Sequence, residues 1–237
     1  MPDYSYRDIA KMLDHSLLQP QLTDAELAKG CKIAKAYDVA SVCIKPYAVT
    51  LAKDILQGSD VGVCTVIGFP HGSHLTSIKV LEAQAAMADG ATELDMVVNI
   101  GKVKSGDWKY VTKDISDVVD AAHRGKAKVK VIFENSLLFN EEKIKLCEIC
   151  GEVSADWVKT STGYGESGAT IEDLKLMRKH SPASVQVKAA GGVRTFERVL
   201  LVRQLGVSRV GATVSPAILD ECRQTLGLPA ILVEASA

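Results

Sequence analysis

The sequence predicts a single-domain α/β fold, a (β/α)8 or TIM barrel spanning residues 1–237, and three observations predict it. Short β-branched apolar runs occur eight times, at intervals of roughly 20 to 40 residues. Each run is followed by a longer stretch with helical spacing and its own end signals. The 237 residues are close to the about 250 that eight strand–helix units need, and no Ser/Gly- or Pro-rich linker divides them. Strands alternating with helices of about 10 to 15 residues imply parallel βαβ units. Eight such units suggest closure into a barrel. An open doubly wound sheet is the alternative, but the first βα turn lacks the Gly-x-Gly-x-x-Gly fingerprint of a dinucleotide-binding sheet.

The expected strands are 12–16, 40–45, 62–68, 93–99, 128–134, 156–162, 184–189 and 209–213. The first is the weakest pattern. Between them, Thr23-Asp-Ala-Glu26 reads as a capping box, in which the hydroxyl accepts from a free amide and the carboxylate reaches back. The Ala-rich stretch 78–89 stops at Gly90, suited to a left-handed C-cap. Thr170 is placed to cap a helix starting at Ile171, and Ser215-Pro216 puts a hydroxyl before a proline at a helix start.

Composition narrows the function. Apolar residues make up 47% of the chain, enough for a sizeable core, and the formal net charge is −1 with no long run of like charge. No basic face or stripe of a nucleic-acid binder is evident, so a small-molecule partner is expected. No run of about 18 apolar residues occurs, so no membrane span is expected. Residues 1–8 are polar and lack the apolar centre of a secretory signal. The six cysteines sit mostly in apolar or helical stretches, as reduced thiols do, and a cytoplasmic location is expected.

The chemistry shows where the strands break their own rule. Strands of a parallel barrel should be mostly apolar, yet Asp95, Lys159 and Lys188 lie between apolar neighbours near the C-terminal ends of three of them. A lone buried charge costs several kcal/mol unless paired or neutralised, and barrel active sites lie at that end of the strands. One buried Lys–Asp pair could be structural, but two lysines on neighbouring strands repel. Neighbouring strands are about 5 Å apart. At an effective dielectric of about 20, that repulsion is roughly 3 kcal/mol, enough to weaken a lysine's hold on its proton about a hundredfold. Burial adds to the effect. A neutral lysine amine attacks carbonyls to form a Schiff base, and Asp95 is placed to donate and accept protons.

Small polar loops follow the last three expected strands: Thr160-Ser-Thr-Gly-Tyr-Gly165, Ala190-Gly-Gly192 and Gly211-Ala-Thr213, the last leading into the helix expected at Ser215. Glycine lets backbone amides approach a ligand, and a helix start favours an anion. Barrel enzymes often bind phosphate after strands seven and eight. Turn glycines alone would look similar singly; three such loops on one rim beside two lysines favour a phosphate site.

These same segments carry a family resemblance. Trp157-Val-Lys-Thr-Ser-Thr-Gly163 resembles the Schiff-base motif of the deoxyribose-phosphate aldolases, and Val187-Lys-Ala-Ala-Gly-Gly-Val-Arg194 their second lysine motif. Glu93-Leu-Asp-Met-Val-Val-Asn99, Leu13-Asp-His-Ser16, Val42-Cys-Ile-Lys-Pro46 and Gly68-Phe-Pro70 are similar to other motifs of that family, in order from about residue 10 to about residue 225. The resemblance implies a lyase that reversibly splits 2-deoxy-D-ribose 5-phosphate into glyceraldehyde 3-phosphate and acetaldehyde, in deoxyribose phosphate catabolism. It implies Lys159 as the Schiff-base residue, Lys188 as the group that perturbs its pKa and relays protons, and Asp95 as proton donor and acceptor. It places Asp14, Ser16, Cys43, Thr160, Gly163, Gly191, Gly192, Gly211 and Thr213 around a phosphosugar and aldehyde substrate. It implies no metal and no organic cofactor, and a possible homodimer or larger homo-oligomer.

The chain departs from the family pattern in three places. Thr213 is followed by Val214 where a second small hydroxyl is common. His71 and His74 occupy the turn after Gly68. The chain ends in Glu234-Ala-Ser-Ala237, so no terminal tyrosine is expected to reach the site. Three further features are read as structural or left open. Cys147-x-x-Cys150 reads as two helix-packed thiols, with no second pair to complete a zinc site. His71-x-x-His74 reads as a solvated loop. Glu134 is either a lysine's partner or a loop residue. Two other functions compete: a Schiff-base barrel lyase for another phosphorylated sugar or keto substrate, and a non-catalytic phosphosugar-binding barrel.

Overall fold

The computed structural model describes residues 3–232, so the expectation about the chain's last four residues lies outside the described part. A short helix α1 (Tyr6–Ala10) precedes eight parallel strands: β1 (Leu13–Leu17), β2 (Ser41–Ile44), β3 (Gly62–Ile67), β4 (Glu93–Val97), β5 (Lys128–Ile132), β6 (Trp157–Lys159), β7 (Gln186–Ala190) and β8 (Arg209–Ala212). The helices between and after them are α2 (Asp24–Ala36), α3 (Val49–Leu56), α4 (Thr76–Asp89), α5 (Ile100–Lys104), α6 (Trp108–Arg124), α7 (Asn140–Glu152), α8 (Ile171–His180), α9 (Phe196–Gln204) and α10 (Ser215–Thr225). Each strand pairs with the next, and β1 closes on β8 through Leu13 opposite Val210 and Asp14 opposite Gly211. All eight expected strands are present, and the open-sheet alternative is excluded by this closure.

The helix ends follow from local chemistry. Thr23 and Glu26 form the expected capping box, Gly90 ends α4 at φ 117°, and Thr170 accepts from the Asp173 amide at the start of α8. One cap differs from expectation. Ser215 is the first helical residue of α10 and Val214 holds the cap position without a side-chain bond. The Ser215 hydroxyl turns inward to His15 Nδ1 at 3.1 Å.

Side chains alternate across each strand, and this sorts the molecule into two interiors. Outward-facing residues such as Leu13, Leu94, Met96, Val129, Val158 and Val187 are fully buried against the helices and belong to one continuous apolar core. Each such side chain stabilises the fold by about 1.5–3 kcal/mol relative to exposure. The inward face is different. It carries a small patch of Cys43, Cys64 and Val66 beside a cluster of charged side chains. Among the described residues no helix is long and apolar enough to cross a membrane.

Candidate active site

A cavity of about 440 Å³ opens at the C-terminal end of the strands. Ten of the residues expected to form the site line it: Asp14, Ser16 and Cys43 on one side, Lys159 and Lys188 at the floor, and Gly163, Gly191, Gly192, Gly211 and Thr213 along the opposite rim. Strand register explains the floor. Lys159 and Lys188 are Cα partners across β6 and β7, and both nitrogens donate to the same oxygen, Asp95 Oδ2, at 2.7 Å each. They are therefore at most twice that distance apart, as the repulsion argument requires.

Beneath the two lysines lies a wider charge network. Lys188 Nζ also reaches Asp14 Oδ2 at 2.6 Å. Lys130, fully buried on β5, sits 2.8 Å from Asp95 Oδ1 and 2.6 Å from Glu93 Oε2. Arg209 Nη1 bridges Asp14 Oδ1 at 2.6 Å and Glu93 Oε2 at 2.8 Å. The Trp157 ring closes the base, with the guanidinium 5.0 Å and Lys130 Nζ 5.7 Å from its centre. Three carboxylates thus meet four basic groups, all of them buried or nearly so.

The charge states of this network follow from its geometry. Burial works to raise the Asp95 pKa, but Lys130, Lys159 and Lys188 together outweigh it and hold the carboxyl well below its ordinary range. Burial alone would strip Lys188 of its proton, yet Asp14 and then Asp95 hold the ammonium and push its pKa above the usual lysine value. Lys130 is likewise held charged, by Asp95 first among its partners. Asp14 is kept ionised against burial by Lys188, Arg209 and Lys130.

This arrangement bears on two of the expected residues, Asp95 and Thr160. Asp95 is fully buried below the cavity floor, and both its oxygens are occupied by ammonium groups. In the resting site it is the shared counterion of the three lysines. Thr160 does not line the cavity. With Lys159 facing inward, its neighbour faces out, and the Thr160 hydroxyl is spent on the Ala190 backbone, donating to the carbonyl and accepting from the amide at 3.0 Å each.

Other features fall as the residues suggested, or between the alternatives. His71 and His74 are exposed in a loop, and Cys147 and Cys150 are buried, unpaired thiols of α7. Glu134 touches no lysine. In a left-handed conformation at φ 57°, it accepts from the amide and hydroxyl of Thr162 and clamps the loop after β6. That loop packs closely on the one after β7: a Cβ on Gly168 would lie 2.3 Å from the Gly191 carbonyl. Gly191 and Gly192 both have positive φ, 82° and 81°, where an L side chain is strained.

Cys43, Cys64 and Asp95 bring three donor atoms within 4.8 Å of one another. The set does not suit a cation. Asp95 is saturated by lysines, and burial, the Cys43 contact and Asp95 push the Cys64 thiol well up, so it stays protonated.

Sequence reasoning missed several residues. Lys130, Glu93 and Arg209 complete the charge network. Thr162, Tyr164, Arg194 and the 18–21 segment after β1 line the cavity. Tyr164 spans its mouth, donating to the Leu18 carbonyl at 2.8 Å and packing edge-on to Phe69. For Lys130 a signal was present: Val129-Lys130-Val131 has the same in–out pattern as Val187-Lys188-Ala189.

Comparison with known proteins gives the family. The DeoC/LacD family aldolase model matches residues 9–213. The chain is 55% identical to a deoxyribose-phosphate aldolase of Rhodopirellula baltica over 100% of this chain and 98% of that one. It is 50% identical to one of Thermococcus gammatolerans over 91% and 97%. Among solved structures, the deoxyribose phosphate aldolase of Aeropyrum pernix, described as tetrameric, superposes with a TM-score of 0.86 at 28% identity, covering 93% of each chain.

Proposed function

The chain belongs to the DeoC/LacD family of aldolases, and from that membership we propose that it reversibly cleaves 2-deoxy-D-ribose 5-phosphate to D-glyceraldehyde 3-phosphate and acetaldehyde through a Schiff base on Lys159. One observation carries the assignment of the lysine. Of the three lysines around Asp95, Lys159 has the fewest carboxylate contacts: one shared oxygen, against two carboxylates for Lys188 and three within 4 Å for Lys130. It also faces the cavity. Lys188 lines the cavity too, but two carboxylates hold it, so Lys159 is the cavity amine with the fewer anionic partners.

The chemistry follows. The neutral Lys159 amine adds to the C1 aldehyde of the open-chain sugar, and water leaves to give the protonated imine. The C2–C3 bond breaks as the 3-hydroxyl loses its proton; the electron pair flows into the imine and leaves an enamine. Glyceraldehyde 3-phosphate departs. The enamine takes a proton at C2, and water returns acetaldehyde and the free amine. Lys188, charged at the cavity floor, gives its proton to the hydroxyl that leaves as water, takes up the proton of the 3-hydroxyl, returns it to C2 and is recharged when water hydrolyses the imine. Asp14, Ser16 and Cys43 hold the hydroxyl-bearing carbons.

The 5-phosphate lies on the opposite rim, against the backbone of Gly163, Gly191, Gly192, Gly211 and Thr213 and the start of α10, with Arg194 at the edge. Val214 contributes no hydroxyl, so backbone amides and Thr213 hold this group. Borohydride reduction in the presence of acetaldehyde, followed by peptide mass spectrometry, tests the assignment. A reduced adduct at Lys159 is expected; an adduct at another lysine, or none, overturns it.

Two further readings accompany this one. Leu75, just before α4, and Ile78 and Leu81 on it are exposed at 68%, 45% and 59%, an apolar ridge that suits a homo-oligomer, which light scattering on the purified chain would detect. The six buried, unpaired cysteines suit a reducing cytoplasm, which fractionation of cells tests.

A further inference from the structure

We propose that Arg209, which touches no substrate, is the positioning residue that leaves Lys159 short of a proton, by occupying carboxylate capacity at the base of the barrel. The inference rests on the Schiff-base reading of Lys159.

Charge balance among closely packed, largely buried groups sets which of them gives up a proton. The charged groups facing Lys159 come from around the barrel: Asp14 on β1, Glu93 and Asp95 on β4, Lys130 on β5, Lys188 on β7 and Arg209 on β8. The thiols of Cys43 and Cys64 face it from β2 and β3, and Arg194 faces it from the cavity rim. With every base protonated, the lumen network would carry one positive charge too many. Burying uncompensated charge is costly, and one lost proton removes the excess. Arginine never gives up its proton in proteins, so the loss falls on a lysine.

Arg209 also decides which lysine. Its Nη1 and Nη2 occupy both Glu93 oxygens, and Nη1 takes Asp14 Oδ1 as well. Asp14 Oδ1 further accepts from Ser41 at 2.7 Å. What remains is Asp14 Oδ2 for Lys188, the shared Glu93 Oε2 for Lys130, and Asp95 for all three. Lys159 is left with half of one oxygen. The guanidinium is itself fixed against the Trp157 ring with its side chain only 11% exposed. The proton that Lys159 lacks goes to solvent through the cavity.

The test is the pH dependence of kcat/KM on deoxyribose 5-phosphate, alongside cyanoborohydride trapping of acetaldehyde on Lys159. Arg209→Met leaves three lysines for three carboxylates, so the acid limb should move up by roughly one pH unit. Activity near pH 7 should then fall about tenfold and recover toward pH 9. Glu93→Gln removes a carboxylate and should move the limb down. Arg209→Lys keeps the charge and should sit close to wild type. Opposite shifts support the proposal. A merely structural role lowers both variants at all pH values without moving the limb, and that result overturns it. Should Arg209→Met not fold, the downward shift in Glu93→Gln is the required result, and an unmoved limb there overturns the proposal. Failure to trap wild type at Lys159 would instead defeat the Schiff-base reading itself, a separate outcome.

Discussion

Two buried lysines of this chain each reach an aspartate, Lys79 in the outer shell and Lys159 in the lumen. Lys79 Nζ, on α4, lies 2.5 Å from Asp114 Oδ2 on α6 and also donates to the Val97 carbonyl at 2.9 Å. Thr76 donates to the other Asp114 oxygen at 2.8 Å. One cation thus meets one anion, with the remaining lone pairs satisfied, and nothing opens onto a cavity. Lys159 shares its aspartate with two other lysines and faces the pocket. Burial is common to both; the ratio of acids to bases is not. Full compensation makes Lys79 a structural pin, and incomplete compensation is what the proposed nucleophile Lys159 requires.

Exchanging the two lysines' fates in mutants is the strongest way to break that contrast. Lys159→Ala should lower retro-aldol turnover by about ten-thousandfold in a coupled assay, the scale at which a missing nucleophile removes a whole covalent route. Its urea midpoint should stay close to wild type, because Lys130 and Lys188 still hold Asp95 and the side chain removed borders the open cavity. Lys79→Met should do the reverse. It leaves Asp114 buried without its partner and should cost about 3 kcal/mol of stability in urea unfolding, with kcat within about twofold of wild type. A Lys79 variant that loses turnover while remaining folded would erase the distinction.

Asp95→Asn probes the sharing itself. The three lysines lose their common anchor, so kcat should fall about a hundredfold as the Lys159 amine loses its fixed position. Removing a negative charge should also move the acid limb of the pH–rate profile down rather than up. If Asp95 were the proton carrier suggested by its place in the sequence, the asparagine variant would lose that limb altogether, and stopped-flow pH profiles separate the two.

The parts of this site that the sequence disclosed are those where a charge interrupts an apolar strand. Asp95 and Lys188 stand out because both neighbours of each are apolar and buried, and Lys159 because it follows the buried Val158 in an otherwise apolar run. Lys130 has the same setting and was legible in principle. Glu93 and Arg209 were not, because each opens its strand, where a charge ordinarily meets solvent; only barrel closure turns them inward under Trp157. Thr160 misled for the converse reason. Its place next to Lys159 suggests a shared pocket, but alternation along a strand sends neighbours to opposite faces. Ser215 misled likewise, since Ser-Pro is a capping signal and the pull of His15 appears only once β1 and α10 are packed. Glu134 and Tyr164 act through contacts across loops, which no local pattern encodes.

His15 supplies the third case that the contrast between Lys79 and Lys159 needs, a buried base with no acid at all. It lies beside Asp14 on β1 but faces outward, where its Nδ1 meets only the Ser215 hydroxyl. Burial with no compensating charge lowers its pKa to about 4, so it is neutral in the folded protein. The unfolded chain binds that proton near its ordinary pKa of about 6.5. Its contribution to stability is therefore complete above about pH 6.5 and is lost progressively as pH falls toward 4, amounting to about 1 kcal/mol between pH 7 and 5.5. Asp14 and Asp95 have lowered pKa values, so their contributions are lost only as pH falls below the unfolded carboxylate value of about 3.9, outside that window. Urea unfolding at pH 7 and 5.5 should show the loss in wild type and not in His15→Asn, whose amide can still reach Ser215 but cannot titrate. Parallel losses in both would mean that burial without a partner does not discharge a base in this fold, and the same reasoning would then fail for Lys159.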